Sequence, residues 1–364
     1  MSVVSWIMAI FSLIGAVDYL IGNKFGVGGE FEKGIKFLGT LVLSMVGMLV
    51  MCPLIAKLVQ PLMNAMTGAL DPSVIPAMLF ANDMGGASLS TAVANEELIG
   101  KFHALVVSSM MGCTLSFTIP YVVGVVPKAK HESMFLGLLC GVVTIPFGCI
   151  VGGIMLGVPF GVLIINSLPL VVLAGVIALG LLKFPRGCIK VFSGLGVAIK
   201  FLVTVGLAVG IFEFLTGVKL IPYTDNINLG MEIVINASCV MTGAFPLIKI
   251  ISTLLKKPIT ALGGKMGINA TSAIGFLSSL ATTVTTFGIM SDMDDKGTIY
   301  NSAFAVSGGF TFAGHLAFTL AMDASCLPAV IVGKLVSAFL GLGLACLLFG
   351  KTKKTKTQTV QPIA

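Results

Sequence analysis

Residues 73–94 read SVIPAMLFANDMGGASLSTAVA, and what this stretch does in a bilayer decides the fold. It reaches the roughly 20 residues that a spanning helix needs, yet it carries Asn82, Asp83 and the pair Gly85-Gly86 near its middle. A charged side chain at mid-depth costs about 2.5–3.5 kcal/mol even on the lenient insertion scale, and adjacent glycines let a helix break. The stretch therefore predicts a segment that enters the membrane and turns back. A second odd stretch, 268–290, reads INATSAIGFLSSLATTVTTFGIM and carries Thr282-Thr283 and Thr285-Thr286. Each follows an apolar segment with the same tripeptide, Pro53-Leu54-Ile55 before the first and Pro246-Leu247-Ile248 before the second. Paired, interrupted segments in corresponding halves of a membrane protein point to the binding site of a transporter.

The rest of the chain agrees with a membrane setting. With 56% hydrophobic and 10% charged residues over 364 positions, no soluble domain with a solvated surface is possible. Eleven apolar segments can be marked, at about 3–22, 37–59, 73–94, 102–126, 133–156, 158–182, 191–215, 230–254, 268–290, 299–322 and 327–349. They predict a single integral-membrane transport domain over 1–364, with lipid as its main partner. The first segment lacks a basic start and ends at Asp18-Tyr19 without a small-residue cleavage site, so it reads as a retained helix and not a signal peptide.

The net charge of +7 does not indicate a nucleic-acid partner. The basic residues lie in short loops and in the tail, at Lys351, Lys353, Lys354 and Lys356, where they report which side is cytoplasmic. If all eleven segments cross, loop and terminal Lys and Arg divide 9 against 10. If 73–94 and 268–290 each return to the face they left, the division becomes 16 against 3, with only Lys57, Lys101 and Lys219 outside. That asymmetry predicts an all-α polytopic membrane protein with about nine spanning helices plus two re-entrant or broken segments. The N-terminus is expected outside and the C-terminus in the cytoplasm. Five crossings then separate the two Pro-Leu-Ile copies, an odd number, so the halves form two inverted-topology repeats. Repeat one covers about 3–156, a connecting helix 158–182, repeat two about 191–349, and a polar tail 350–364. Non-helical backbone survives at membrane depth only against protein or water, so both broken tips are expected near the midplane.

Eight cysteines, mostly inside apolar segments, show no metal-ligand spacing and read as packing residues. Among 44 glycines, Gly148/Gly152 and Gly153/Gly157 stand at the four-residue spacing that lets helices approach closely in lipid. Chemistry must come from the few polar groups placed in the membrane. Asp83 leads them, because the break at Gly85-Gly86 would free carbonyls that, with the carboxylate, suit a cation; the alternative is a structural pairing with Lys334. His315 could accept a hydrogen bond from a substrate or carry a proton, or simply pack. Thr282, Thr283, Thr285 and Thr286 could hold a hydroxyl or a dehydrated ion, or bond back to their own helix. Glu213 and Glu232 are expected at the outer rim, and Lys200 and Lys334 read as snorkelling side chains. Asp18, Asn166 and Asn236 complete the polar set.

Several dispersed passages are similar to one family. They are Asp83-Met84-Gly85-Gly86, Ser109-Met110-Met111-Gly112, Thr144-Ile145-Pro146 with Gly148-Cys149-Ile150, Phe304-Ala305-Val306-Ser307, His315-Leu316 and Val332-Gly333-Lys334-Leu335. In this order, and over nearly the whole length, the chain resembles the ethanolamine-utilisation permease family, EutH. The resemblance implies uptake of ethanolamine across a bacterial plasma membrane. Two positions depart from the family pattern: Ala281-Thr282-Thr283-Val284 stands where asparagines and a proline are usual, and Gly314 stands where an Asp precedes the histidine. Those departures leave Asp83 as the surer anchor.

Chemistry and resemblance converge, since ethanolamine at neutral pH is a small ammonium with a hydroxyl at its other end. The expected binding set is Asp83 with the backbone at Gly85 and Gly86 for the ammonium, and Asn82 with Thr282 or Thr283 for the hydroxyl. His315 tunes the pocket or relays a proton. No cofactor or metal is called for, and the residues accommodate a facilitated carrier as well as one coupled to Na⁺ or H⁺. Ion-coupled carriage of another small solute, a passive channel, and an intramembrane enzyme using Asp83 and His315 are the rivals. The enzyme is disfavoured because the chain has no His-Glu-x-x-His, no Gly-x-Ser-x-Gly and no paired catalytic carboxylates.

Overall fold

The computed structural model describes residues 3–64 and 70–350. Every regular element among them is a helix, as a chain this apolar requires, because lipid leaves backbone N–H and C=O groups no partners but one another. The expected tail from 351 onward, with its four lysines, lies outside the described residues.

Two long helices come first, α1 (Val3–Leu20) and α2 (Gly28–Pro61). Asp18 is buried and turns one into the other, accepting from the backbone N–H groups of Phe25, Val27 and Gly28 at 2.7–2.8 Å. The Val27 and Gly28 N–H groups are orphan donors at the start of α2, and the Phe25 bond closes the turn before it. Helix α2 starts well before the expected 37, because Glu30, Glu32, Lys33 and Lys36 occupy its first turns, with both lysines exposed, and pair along it as Lys33–Glu30 and Lys36–Glu32. Then come two short helices, α3 (Val74–Leu79) and α4 (Gly86–Val93). Four long helices follow: α5 (Glu97–Val125), α6 (Lys128–Met155), α7 (Phe160–Lys183) and α8 (Pro185–Thr216). The second half continues with α9 (Ile227–Met266), the short α10 (Ala270–Ala281) and α11 (Thr283–Gly288), α12 (Asp295–Gly308), α13 (Gly314–Asp323) and α14 (Leu327–Phe349). Eight stretches among the described residues are long and apolar enough to cross a membrane. Helix α7 exposes Val171, Val172, Val176 and Leu179, a continuous apolar face of the kind lipid covers.

Both odd stretches are hairpins in the plain geometric sense: each ends beside its own beginning. At the first, Asp71 accepts from Ser73 N and, with its other oxygen, from Asn95 N, both at 2.9 Å, while its own N–H donates to Asn166 on α7. At the second, Asp294 accepts from Asn269 N at 2.9 Å, and Asn269 Nδ2 donates to the Asp292 carbonyl at 2.8 Å. One carboxylate thus closes each mouth. Removing the first staple strands a buried set of donors, each worth about 1–3 kcal/mol when unpaired. Asp71→Ala is therefore expected to lower the thermal unfolding midpoint of the detergent-solubilised protein clearly, and an unchanged midpoint would remove the staple from the fold's supports.

The packing is reciprocal between the halves. Helix α1 packs on α9, and α8 packs on α2; α2 and α9 also pack on each other. The first hairpin lies against α5 as α10 lies against α12, and α6 meets α14. At that last crossing Gly148 and Gly333 face backbone to backbone, and a Cβ on Gly333 would stand 2.7 Å from the Gly148 carbonyl. Of the spaced glycines, Gly148 and Gly152 face α14, whereas Gly157 sits at φ +82° where α6 ends. Cys52, Cys113, Cys140, Cys149 and Cys326 are buried and all eight thiols are free.

Candidate functional site

Three breaks in helical backbone converge on α5. The first separates α3 from α4: Phe80 and Ala81 are extended, Asn82–Met84 forms one tight turn, and Gly85 takes φ +95°. Left-handed backbone of this kind is what glycine permits and a side chain resists. The N–H groups of Met84 and Gly86 both donate to the Ala81 carbonyl, at 3.0 and 2.8 Å. That carbonyl is spent inside the turn, so the break offers side chains and not a ring of free carbonyls. Gly86 has a second task, because a Cβ there would meet the Ala81 carbonyl oxygen at 2.7 Å. The turn is fastened to α5 by Ala81 N donating to Ser116 Oγ at 2.9 Å.

The second break is the single extended residue Thr282 between α10 and α11. Its hydroxyl accepts from Val284 N at 3.2 Å and so caps α11, a use that side chains of this kind often have. Thr286 is bonded to Ser279 and to the Gly275 carbonyl, at 3.0 and 3.1 Å, and Thr285 is exposed. Thr283 alone among the four keeps a buried hydroxyl with no partner.

The third break was not expected. The apolar segment at 299–322 is not one helix: α12 stops at Gly308, and five residues follow before α13 begins at Gly314. Phe310 holds φ +60° there, unusual for a bulky side chain. Its N–H and that of Phe312 donate to the last carbonyls of α10, Ser279 and Leu280, at 3.0 and 2.9 Å. Two helix-end acceptors that would otherwise lack partners thus hold the unwound strand in place. The sequence signal was the pair Gly308-Gly309; a Cβ on Gly309 would run into Thr283. Phe310 then carries His315, with ring centroids 5.4 Å apart, and meets Phe117 of α5 at 5.5 Å. Ser116 and Phe117, neighbours on α5, therefore anchor the first and third breaks, while backbone bonds join the third to the second. Helix α13 in turn packs against Asn82–Met84.

This brings the expected residues into one region and sorts them. Asn82 is fully buried, and neither its amide oxygen nor its nitrogen has a partner. His315 is buried with Nδ1 unpartnered. With Thr283 these are orphaned polar atoms of the sort that a native interior almost never leaves unexplained. Asp83 is partly buried, just before the N-terminus of α4, where the helix dipole favours a carboxylate. No ion pair engages it among the described residues.

Lys334 corrects an expectation. It does not snorkel: it is 1% exposed, and Nζ donates to the Ser109 carbonyl on α5 at 2.8 Å. A lysine in the middle of α14, where that helix packs on α5 and α6, has no aqueous edge within reach. The sequence reading also missed Ser116, Phe117 and Phe310, which carry no signal of their own without the backbone breaks they hold. Of the other polar residues, Glu213 reaches Lys219 at 3.7 Å while Glu232 and Lys200 are exposed.

A cavity of ≈ 1110 Å³ opens between α2, α4 and α9, with Lys57, Gln60, Ser88, Thr91, Asn95 and Asp225 among its lining residues. Helix α4 forms one wall of this vestibule through Ser88, Thr91, Ala92 and Val93, and none of Asn82, Asp83, Thr283 and His315 lines it. Helix α5 is wound with wide π-type turns over Phe102–Gly112 and Thr114–Thr118, a winding common at functional sites. No group of three or more metal-binding side chains occurs among the described residues.

Comparison with known proteins gives this geometry a family. The chain is 37% identical over 362 residues to a Listeria monocytogenes protein named "Probable ethanolamine permease EutH", covering 98% of this chain and 97% of that one. A protein of the same name from Escherichia coli is 34% identical over 402 aligned positions, at 98% and 97% coverage. The Bacillus subtilis protein YxeR, named as uncharacterized, is 35% identical over 334 residues, at 91% and 90% coverage. No solved structure matches the chain. Residues 1–348 match the family described as "Ethanolamine utilisation protein, EutH", and with relatives matched over nearly their whole length the chain belongs to that family.

Proposed function

We propose that this protein is a plasma-membrane permease that takes up ethanolamine by alternating access around the three breaks. The observation that carries the reading is the Asp83 turn: a carboxylate without an ion pair among the described residues, beside the fully buried, unpartnered amide of Asn82. A desolvated carboxylate attracts a primary ammonium far more strongly than it would in water, and an orphaned amide and hydroxyl match a substrate hydroxyl that both donates and accepts. Asp83 holds the ammonium; Asn82 and Thr283 hold the hydroxyl; His315 shapes the far wall with Phe310. Gly85 and Gly86 set the turn, and Thr282 acts through the cap of α11. The names of the Listeria and Escherichia relatives support ethanolamine as the substrate.

Inverted repeats fit the reciprocal packing of the halves, with α7 as the connecting helix. In this topology the N-terminus is outside, the C-terminus is cytoplasmic, and the vestibule beside Lys57 faces outward. The conformation is then the one that receives substrate. The protein acts as a carrier and not an enzyme, with no resident cofactor.

Purified protein in proteoliposomes tests this. Labelled ethanolamine should accumulate against unlabelled ethanolamine inside, saturably and without chemical change. Flux that does not saturate would make the protein a channel, product formation would make it an enzyme, and no flux at all would refute the substrate.

A further inference from the structure

The root of the first hairpin holds a buried histidine that the binding scheme does not use. His103, in the second turn of α5, is fully buried, and its Nδ1 lies 2.7 Å from Ser73 Oγ. Ser73 Oγ in turn lies 2.5 Å from Asp71 Oδ1. Carboxylate, hydroxyl and imidazole thus form one chain, from the residues that open the hairpin to the helix on which it is seated. The protons in that chain can be placed. An ionised carboxylate accepts and cannot donate, which turns the single Ser73 proton toward Asp71 and leaves the Ser73 oxygen to accept from His103 Nδ1–H. The other ring nitrogen, Nε2, is then a bare acceptor, and it has no partner among the described residues. A buried polar atom left in this way calls for an explanation, and an imidazole with a carboxylate one hydroxyl away is arranged to take up a proton.

The other charged and titratable groups around it are paired or stand at helix ends. On α5 itself, Lys101 pairs with Glu97 at 2.8 Å and with Asp323 of α13 at 3.0 Å. Helix α7, whose Asn166 braces Asp71 at 2.9 Å, has Lys183 at its last position. The first turns of α6 and α12 carry Lys128, Lys130, His131, Glu132, Asp295 and Lys296. Lys334 of α14 is bonded to Ser109, further along α5, and Asp83 stands beyond α3 at the other end of the hairpin. Asp71 is the charge that answers His103.

We propose that His103 Nε2 is the binding site of a proton that travels inward with ethanolamine. Pro72, between Asp71 and Ser73, and Asn95, whose N–H bonds to Asp71, both line the vestibule, so the proton comes from the same outward-facing water as the substrate. Its charge is offset by Asp71 while the chain through Ser73 is closed. The Asp83 turn belongs to the same hairpin and is seated on the same helix through Ser116, so both ligands load in one conformation. A ligand that binds one conformation better than another shifts the balance toward it. When the hairpin leaves α5, the imidazolium loses its counter-charge and gives its proton to cytoplasmic water. This rests on the permease reading above and adds to it the ion that drives uptake.

Proteoliposomes whose membrane potential is clamped by K⁺ and valinomycin test it. With the outside one pH unit more acid, the wild type should concentrate ethanolamine about tenfold, the ratio that one coupled proton supplies. Uncharged ethanolamine leaking through lipid runs the other way, toward the acid side. His103→Gln keeps a neutral polar side chain and removes the titrating nitrogen; it should still exchange labelled for unlabelled ethanolamine at equal pH while losing the concentrative uptake. In a variant that elutes as the wild type does, loss of both modes together would make His103 a structural residue, and concentrative uptake that survives would put the proton elsewhere. Either result overturns the proposal. The wild type supplies a second measurement that does not depend on how the variant folds: a pH dye trapped in the lumen should report acidification when ethanolamine is added outside, and an unchanged or alkaline signal overturns the proposal as well. A wild type that exchanges ethanolamine yet ignores the gradient refutes this inference alone, whereas one that moves ethanolamine in neither mode refutes the permease reading with it.

Discussion

Asp83→Asn is expected to cut uptake of low concentrations of ethanolamine by about 100-fold, because removing one partner of a desolvated, hydrogen-bonded charge pair costs roughly 2–5 kcal/mol. Asparagine preserves the size of the side chain and its place ahead of α4, so the turn at Gly85 and the Ala81 bonds to Met84 and Gly86 should persist. What disappears is the negative charge. The loss should be one of affinity for cationic substrate, seen as a raised half-saturation concentration in counterflow. The thermal midpoint should stay close to that of wild type, because Asp83 makes no ion pair among the described residues and the Lys334 bond to the Ser109 carbonyl is untouched. A correctly inserted Asp83→Asn protein that transports at the normal rate would remove Asp83 from the site.

Asp83 was legible in the sequence because the membrane penalises a carboxylate so heavily that its presence alone demands an explanation. The same logic found Asn82 and both odd stretches, and the lysine asymmetry suggested that each returns to its starting face; the staples at Asp71 and Asp294 hold each stretch's two ends together. The logic failed where the informative event is in the backbone. Nothing in Phe310 announces a positive φ, and the segment from Ile299 to Met322 reads as one helix despite its Gly308-Gly309 pair, yet it unwinds there, where Ser279 and Leu280 offer carbonyls at the end of α10. A long-range hydrogen bond between residues about thirty positions apart leaves no local pattern. The threonines show the same limit from the other side. Four hydroxyls of equal chemical promise differ only in what surrounds them, and three are occupied by a cap, by α10 or by the exterior. Lys334 was misread because snorkelling depends on depth, and depth is set by how α14 packs against α5 and α6.

Gly112→Ala should destabilise the protein where the same change at Gly124 does nothing harmful, although both lie on α5. In an ordinary helix, alanine is favoured over glycine by about 0.5–1 kcal/mol, so the null expectation for both substitutions is a small gain. At Gly124 nothing lies within 4 Å of where the Cβ would sit, and that gain, or no change, should be observed. At Gly112 the Cβ would press on the Phe80 carbonyl and stand 2.5 Å from the carbonyl oxygen of Ala77. Neither neighbour is a side chain that can rotate away. Both belong to the backbone of the first hairpin at the point where α3 gives way to the extended Phe80 and Ala81, and Gly86 closes on Phe80 from the other side. The hairpin must shift as a body or α5 must retreat, and overpacking against rigid structure costs about 1–3 kcal/mol or more. Thermal unfolding followed by size-exclusion chromatography should show the midpoint fall for Gly112→Ala and hold for Gly124→Ala. Uptake should fall more than stability, because the residues displaced with Phe80 are Asn82 and Asp83, and a positioning error of about 1 Å at a binding site is worth roughly 100-fold. Equal midpoints for the two variants would mean that the hairpin is not seated on α5 in this way, and the seat through Ser116 would have to be abandoned with it.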